Sequence, residues 1–167
     1  MTNDPQQLDI ATLSRYLEKH VPGFRGPLVA EKFSGGQSNP TFLLQTPNAR
    51  YVLRRQPPGE LLKSAHAVDR EFRILTALSG SPVPVAHPYH LCEDRAVIGS
   101  LFYVMSFEEG RIFWNPALPD VSSPDRAVCY DAMLHTMAAL HDIDVGSVGL
   151  ADYGRPGNYF ERQIGVW

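Results

Sequence analysis

Five short β-prone runs, divided by a single helical stretch, constrain the fold of this 167-residue chain more than any other feature. The runs span residues 28–33, 41–45, 51–54, 89–92 and 101–107. The helical stretch, with Val68, Phe72 and Leu75 at helical spacing, separates the first three runs from the last two. The order lacks the βαβ alternation of a parallel sheet. It therefore predicts an α+β fold with a five-stranded antiparallel sheet and one main helix.

Further helical patterns flank this sheet-forming region. Asp9 can cap a first helix, and a long helix is predicted at 125–141. Between the sheet and the long helix, residues 108–110 (Glu-Glu-Gly) break the apolar pattern. We therefore divide the chain into a sheet-containing part, 1–108, and a helical part, 109–167.

Charge and composition exclude several classes of partner. A net charge of -3 leaves no basic surface for nucleic acid or an anionic membrane. No apolar run approaches the ~20 residues of a membrane span, and the polar stretch from Met1 to Gln7 lacks the apolar core of a secretion signal. The two cysteines, Cys92 and Cys129, suit a reducing compartment. We therefore expect a cytoplasmic protein without nucleic-acid or membrane partners.

A glycine-containing turn between the first two predicted strands is the strongest local signal of ligand binding. Its residues are Ser34, Gly35, Gly36, Gln37, Ser38 and Asn39. Glycines let the backbone bend tightly and approach a phosphate, and successive N–H groups in such a turn form an anion-binding concavity. A plain hairpin turn is the competing interpretation. The segment is neither a P-loop nor a dinucleotide fingerprint, because no Gly-Lys-Ser/Thr follows and it leads into a strand.

A cation and a carboxylate are predicted to meet near that turn. Side chains alternate along the third strand, so Val52 and Arg54 share one face and Arg55 points to the other. Glu71 lies on the following helix, at the edge of its apolar face, where it can hold the Arg54 guanidinium in place. The guanidinium could then reach the phosphates of a bound nucleotide. The alternative is a surface arginine and a solvated helix charge.

The third signal is an apolar strand that runs into an acidic, glycine-ended break. Its candidate binding residues are Met105, Ser106, Phe107 and Glu108. Such a break can expose backbone donors and acceptors to the edge of an adenine ring, with Met105 lining the pocket. A strand that simply meets a turn explains the same residues. Only the order of the three signals along the chain favours a nucleotide site.

Three neighbouring residues, His87, His90 and Cys92, raise the question of a metal site. A structural zinc ion normally takes four ligands, and the sequence offers no second cluster to complete the set. A proline-rich loop that enters a strand explains these residues as well. We therefore predict that this chain holds no metal of its own.

The residues that carry these signals resemble the aminoglycoside phosphotransferase and choline kinase superfamily, kinase-like enzymes that phosphorylate small molecules. Within it, the chain is most similar to the kinase-like domain of certain acyl-CoA dehydrogenase fusion proteins. The matching segments are 33–42, 51–59, 65–72, 102–105, 140–141 and 149–156. They follow one another in a single order over nearly the whole chain.

The resemblance implies an ATP-dependent phosphotransferase of protein-kinase-like fold, acting on the hydroxyl group of a small-molecule acceptor. Residues 1–108 would be the nucleotide-binding N-lobe, and 109–167 the linker and the first, incomplete part of a helical C-lobe. The glycine-containing turn would hold the nucleotide phosphates. Arg54 would replace the usual lysine, with Glu71 as its helix partner, and residues 106–108 would lie against adenine.

The catalytic motifs of the family are missing from this sequence. Its His-Gly-Asp loop with a following asparagine does not occur, and neither does the aspartate that binds Mg²⁺. His141-Asp142 is no substitute, because the glycine and the asparagine are absent. ATP with Mg²⁺ is therefore expected for the full-length family, and this chain alone is predicted to be inactive. The alternative function is a non-catalytic nucleotide-binding or interaction module.

The long predicted helix carries apolar residues for which the sequence offers no partner. These are Val128, Ala132, Met133, Met137 and Leu140, which we expect on one side of the helix. An exposed apolar surface of more than a few hundred Å² is unusual for a soluble monomer. The chain should therefore aggregate, form a homodimer through this face, or be a portion of a longer protein. We favour the last of these three interpretations.

Overall fold

The computed structural model of the chain describes residues 8–34, 39–57, 59, 66–154 and 157–165. In this part of the chain the elements are α1 (Ile10–His20), β1 (Val29–Lys32), β2 (Thr41–Gln45), β3 (Arg50–Arg55), α2 (Val68–Leu78), β4 (Pro88–Cys92), β5 (Phe102–Ser106), α3 (Ser123–His141) and α4 (Tyr159–Ile164). The strands form one sheet in the order β1-β2-β3-β5-β4, and every neighbouring pair is antiparallel. The predicted five-stranded antiparallel sheet is confirmed.

α1 covers one face of this sheet. Asp9 caps the helix, since its Oδ1 accepts a hydrogen bond from the Thr12 backbone N–H at 3.0 Å. Leu13 and Leu17, one turn apart, are fully buried. They belong to one hydrophobic core with sheet residues such as Phe102. A one-sided apolar helix on one face of a sheet is the packing that this spacing favours.

Alternation along β3 gives the sheet two chemically different faces. Leu53 lies in the core beneath α1, and Arg54 points to the opposite face. Arg55, next along the strand, is only 2% exposed, and its Nε donates to Ser100 Oγ at 2.9 Å. Burial lowers the pKa of the Arg55 guanidinium. Arg55 therefore lies on the core side of the sheet, and Arg54 lies on the opposite side.

α2 packs on that other side, but less tightly than its pattern predicts. Val68 and Leu78, at its two ends, are buried. Phe72 and Leu75, which were expected on the buried face with Val68, are only half-buried. The middle of α2, which carries Glu71, is therefore packed less tightly than its two ends.

α3 begins at Ser123, two residues before the predicted start, because Ser122 caps it. The Ser122 hydroxyl accepts from the Asp125 backbone N–H at 3.3 Å and donates to the Asp125 carboxylate at 2.7 Å. No residue of α3 is buried. The expected single apolar side is wrong in one respect, since Val128 lies about 140° from Met133 at 100° per residue. Apolar side chains therefore surround more than one side of α3. None of the helices in the described ranges combines the length and apolarity needed to cross a membrane.

Candidate functional site

An ion pair between Arg54 and Glu71 lies on the α2 side of the sheet. Arg54 Nε donates to Glu71 Oε2 at 2.7 Å, and the two side chains are 30% and 36% exposed. Arg54 Nη1 donates to Thr41 Oγ1 at 3.2 Å. The ion pair predicted from strand alternation is confirmed. Arg54 Nη2 makes no hydrogen bond to the described residues, so it is the part of the guanidinium that remains for another acceptor.

The Glu71 carboxylate is held by two further donors. Its Oε1 accepts from Asn39 Nδ2 at 2.9 Å, and its Oε2 also accepts from the Tyr103 hydroxyl at 3.1 Å. Asn39 is 4% exposed, and its Oδ1 lies 2.8 Å from His66 Nδ1. Burial raises the pKa of Tyr103, and the charge of Glu71 raises it further, so the phenol stays protonated and donates. The carboxylate is thereby fixed in orientation between the strands and the helix.

Thr41, His66 and Tyr103 belong to this network, although sequence reasoning did not select them. Thr41 and Tyr103 are the direct cross-strand neighbours of Arg54, on β2 and β5 respectively. The strand order could have identified them. Once β3 is known to lie between β2 and β5, alternation places Thr41, Arg54 and Tyr103 on one face of the sheet. His66 has no comparable signal, because it lies in the loop before α2.

An apolar row lies beside this polar row on the same face. Leu43, Val52 and Met105 are paired across β2, β3 and β5, two residues along the strands from the polar row. Two residues of strand correspond to about 7 Å. The predicted pocket residue Met105 therefore belongs to an apolar strip that adjoins the Arg54 guanidinium.

The segment expected to lie against adenine, which we call the linker (residues 106–109), begins where that strip ends, and Ser106 is held there by hydrogen bonds within the protein. Its backbone N–H donates to His87 O at 2.9 Å, and its hydroxyl accepts from the His87 backbone N–H at 2.8 Å and donates to the Glu108 carboxylate. The Phe107 ring lies 4.4 Å below the Arg50 guanidinium. Among the described residues, no turn or loop hydrogen bond involves the backbone of residues 107–109. The Ser106 side chain is thus engaged within the protein.

The glycine-containing turn is described only at its edges. Gly35, Gly36, Gln37 and Ser38 lie outside the described residues. The base of the turn is closed by a hydrogen bond from Phe33 N to Thr41 O at 3.0 Å. Asn39, its last residue, points its side chain to Glu71. The turn therefore connects directly to the polar row at the start of β2.

No cluster of three or more potential metal ligands occurs within the described ranges. His90 instead contacts the Tyr16 hydroxyl at 2.9 Å, and Cys92 is buried in the core under α1. Glu71 is also a poor Mg²⁺ ligand as it stands, since both oxygens accept hydrogen bonds from protein donors.

Comparison with known proteins extends these findings. A family-wide sequence profile described as "phosphotransferase enzyme family" matches residues 29–167. A crystal structure from Ralstonia eutropha JMP134, described as a "putative aminoglycoside phosphotransferase", matches with a TM-score of 0.83 and 47% identity, over 96% of this chain and 46% of that one. This similarity confirms the predicted kinase-like fold.

Curated relatives bear a different name. Acyl-CoA dehydrogenase family member 11 is 45% identical in Mus musculus and 44% identical in Gallus gallus, each over 165 residues and 96% of this chain. The match covers 21% of either relative, so the chain spans about a fifth of their length. The predicted similarity to a kinase-like region of such proteins is confirmed.

Proposed function

Since the chain belongs to the phosphotransferase enzyme family, we propose that its sheet-containing part, residues 1–108, here called the sheet lobe, binds ATP for phosphoryl transfer to a hydroxyl group of a small molecule. One observation carries this proposal. Asn39 at the end of the glycine-containing turn, the polar row of Arg54, the apolar row of Met105 and the linker follow one another along one side of the sheet. A nucleotide has the same order of parts, from phosphates to base.

Arg54 is proposed to contact the α- and β-phosphates through Nη2. Its Nε and Nη1 are held by Glu71 and Thr41, so the guanidinium is oriented before a ligand arrives. A planar fork can bind phosphate oxygens in pairs, whereas the usual lysine acts as a point charge. Glu71 positions this cation and does not act as a base, because three protein donors use its lone pairs.

Binding of the adenine ring is assigned to the apolar row and the linker. Leu43, Val52 and Met105 offer an apolar surface to one face of a planar base. The backbone of residues 107–109 offers donors and acceptors to its edge. Mg²⁺ bound to ATP would neutralise charge on the phosphates. Ligands for that ion, and a carboxylate for the acceptor hydroxyl, are missing from the motifs of this chain, so it should not transfer phosphate on its own.

The test is ATP affinity of the full-length protein with Arg54 replaced. Arg54→Ala should weaken ATP binding roughly tenfold or more, since it removes a charged donor to phosphate. Arg54→Lys keeps the charge but loses the forked geometry, so it should retain only part of the affinity. Isothermal titration calorimetry with ATP and Mg²⁺ measures both effects.

The matched control is Arg15→Ala, because Arg15 is an exposed arginine on α1, across the sheet from Arg54. It removes the same charge and should leave ATP affinity unchanged. Equal affinity of the Arg54→Ala variant and the native protein would remove Arg54 from the site. ATP binding without transfer to any hydroxyl acceptor would instead favour the non-catalytic nucleotide-binding module.

A further inference from the structure

Two arginines of α2 hold residues 149–153, which we name the clasp. Arg73 forms an ion pair with Asp152. Arg70 Nη2 donates to the Tyr153 backbone oxygen at 3.0 Å, and the Arg70 guanidinium lies 4.0 Å above the Tyr153 ring. α2 therefore contacts the sheet on one side and the clasp on the other.

The clasp also contacts α2 through backbone. Arg73 Nη2 donates to the Gly149 backbone oxygen at 2.9 Å, in addition to its contact with Asp152. Gly149 has a φ of +75°, a conformation in which a side chain is strained, so glycine suits this position. The backbone at Gly149 is thus shaped to present its carbonyl group to Arg73.

Glu71 and Arg73 point to nearly opposite sides of α2. They are two residues apart, and at 100° per residue their side chains lie about 160° apart around the helix axis. Glu71 faces the sheet and contacts Arg54, while Arg73 faces the clasp. A rotation of α2 about its axis would therefore change both contacts at once.

Apolar packing restrains the two ends of α2 more tightly than its middle. The residues that α2 buries, Val68 and Leu78, lie at its ends. An open groove of about 640 Å³ runs along the middle of the helix, with Phe72, Leu91 and Val148 among its lining residues. Polar contacts on the two sides therefore add to the restraint from Phe72, whose ring lies 5.9 Å from that of Tyr103.

We propose that the clasp is a positioning element for the nucleotide site. Asp152 and Tyr153, acting through Arg73 and Arg70, set the rotation of α2 and thereby the reach of Glu71 to Arg54. The predicted effect on nucleotide binding rests on the proposed function. The effect on the Arg54–Glu71 contact does not, because that contact is present whatever ligand the site takes.

The clasp should act on geometry more than on stability. The hydrogen bond from Arg73 lowers the pKa of Asp152, so this carboxylate is charged at neutral pH. Yet the two side chains are 43% and 79% exposed, and exposed ion pairs add little to the free energy of unfolding. Loss of the pair should therefore be visible at Arg54 and in nucleotide binding, with little change in melting temperature.

The deciding experiment is Asp152→Asn in the full-length protein. The ¹⁵N–¹H resonance of Arg54 Nε, which reports the hydrogen bond to Glu71, should shift and exchange faster with water. The kcat/KM for ATP should fall about threefold to thirtyfold, as expected for coupling between neighbouring elements. The melting temperature should stay within about 2 °C. An unchanged Arg54 resonance would overturn the proposal.

Three controls separate positioning from other effects. Asp131→Asn removes an exposed carboxylate that pairs with His135 on α3, and should leave the Arg54 resonance unchanged. Asp152→Glu should restore much of the native signal, as should the charge exchange of Arg73→Asp with Asp152→Arg. Failure of both rescues, with Asp131→Asn as damaging as Asp152→Asn, would assign the effect to general charge and contradict positioning.

The design also keeps the two proposals apart. If the native protein does not bind ATP, the proposed function fails, and the Arg54 resonance of the Asp152→Asn variant still decides whether the clasp sets α2. If ATP binds and Arg54→Ala abolishes binding while Asp152→Asn changes neither the resonance nor kcat/KM, the proposed function stands and the clasp proposal fails.

Discussion

α1 and α3 are both capped, regular helices, yet they differ completely in what they bury. Leu13 and Leu17 of α1 are 0% exposed, whereas Met133 and Met137 of α3 are 63% and 52% exposed. α1 is apolar on one side and lies on one sheet. α3 has apolar side chains on more than one side, which is typical of a helix with several neighbours. The distribution of apolar residues around a helix thus carries information about its neighbours, in addition to the periodicity that identifies the helix.

The largest expected effect is the loss of stability when a buried side chain of α1 is truncated, and its absence would contradict this comparison. Leu17→Ala should lower the free energy of unfolding of the 167-residue chain by about 2–5 kcal/mol, because it leaves a cavity in the core under α1. Met137→Ala, on α3, should change it by about 0.5 kcal/mol or less. Urea denaturation followed by circular dichroism measures both values. Equal losses would mean that α3 is packed as α1 is.

An effect of intermediate size is expected at the polar network that joins Asn39, Glu71 and His66. Asn39→Ala leaves a half-buried Glu71 oxygen without its donor, and removes the partner of the His66 ring. We expect a loss of about 1–3 kcal/mol in the free energy of unfolding. Asp131→Asn, which removes an exposed pairing on α3, is the matched control and should be nearly neutral. A neutral Asn39→Ala result would show that water replaces the amide at no cost.

The smallest expected effect depends on pH. Burial lowers the pKa of His90 below its ordinary 6.5, and the neighbouring His20 lowers it further. The unfolded chain then binds the proton more readily, so stability is complete above pH 6.5 and falls as the pH drops towards the folded-state pKa. The groups that face His90 are the Tyr16 hydroxyl and the His20 ring.

His90→Gln should flatten this dependence of stability between pH 7 and pH 5. His135→Gln, at an exposed position on α3, should leave the dependence as it is in the native chain. Thermal melting over this pH range compares the three proteins. A native slope that survives in His90→Gln would place the responsible group elsewhere.

Much of the sheet lobe could be predicted from local sequence, because its elements carry local signals. Asp9 marks the start of α1, and the turn between β2 and β3 contains Pro47 and Asn48, which favour turns. Strand boundaries differ from prediction by at most one residue at either end, and those of β2 do not differ. The half-burial of Phe72 and Leu75 could not be read in the same way, because it depends on where α2 sits on the sheet.

The candidate site was predictable to the extent that it follows alternation. Arg54 and Glu71 were paired from the face that each occupies on its own element. Tyr103 required knowledge that β5 neighbours β3, and this non-local pairing has no signature in either strand. The contacts of Arg70 and Arg73 with the clasp join residues about 80 positions apart. The nucleotide role of the selected residues stays a prediction.

The opposite orientation of Arg54 and Arg55 limits how β3 can change during evolution. A substitution alters one side of the sheet, but gain or loss of one residue within β3 would slip the strand and exchange its faces. The core would then receive the arginine that contacts Glu71, and the α2 side of the sheet would receive the one that contacts Ser100. Because both are arginines, the composition of the strand would hide the damage. Changes of length can be accepted only in the turns that flank β3.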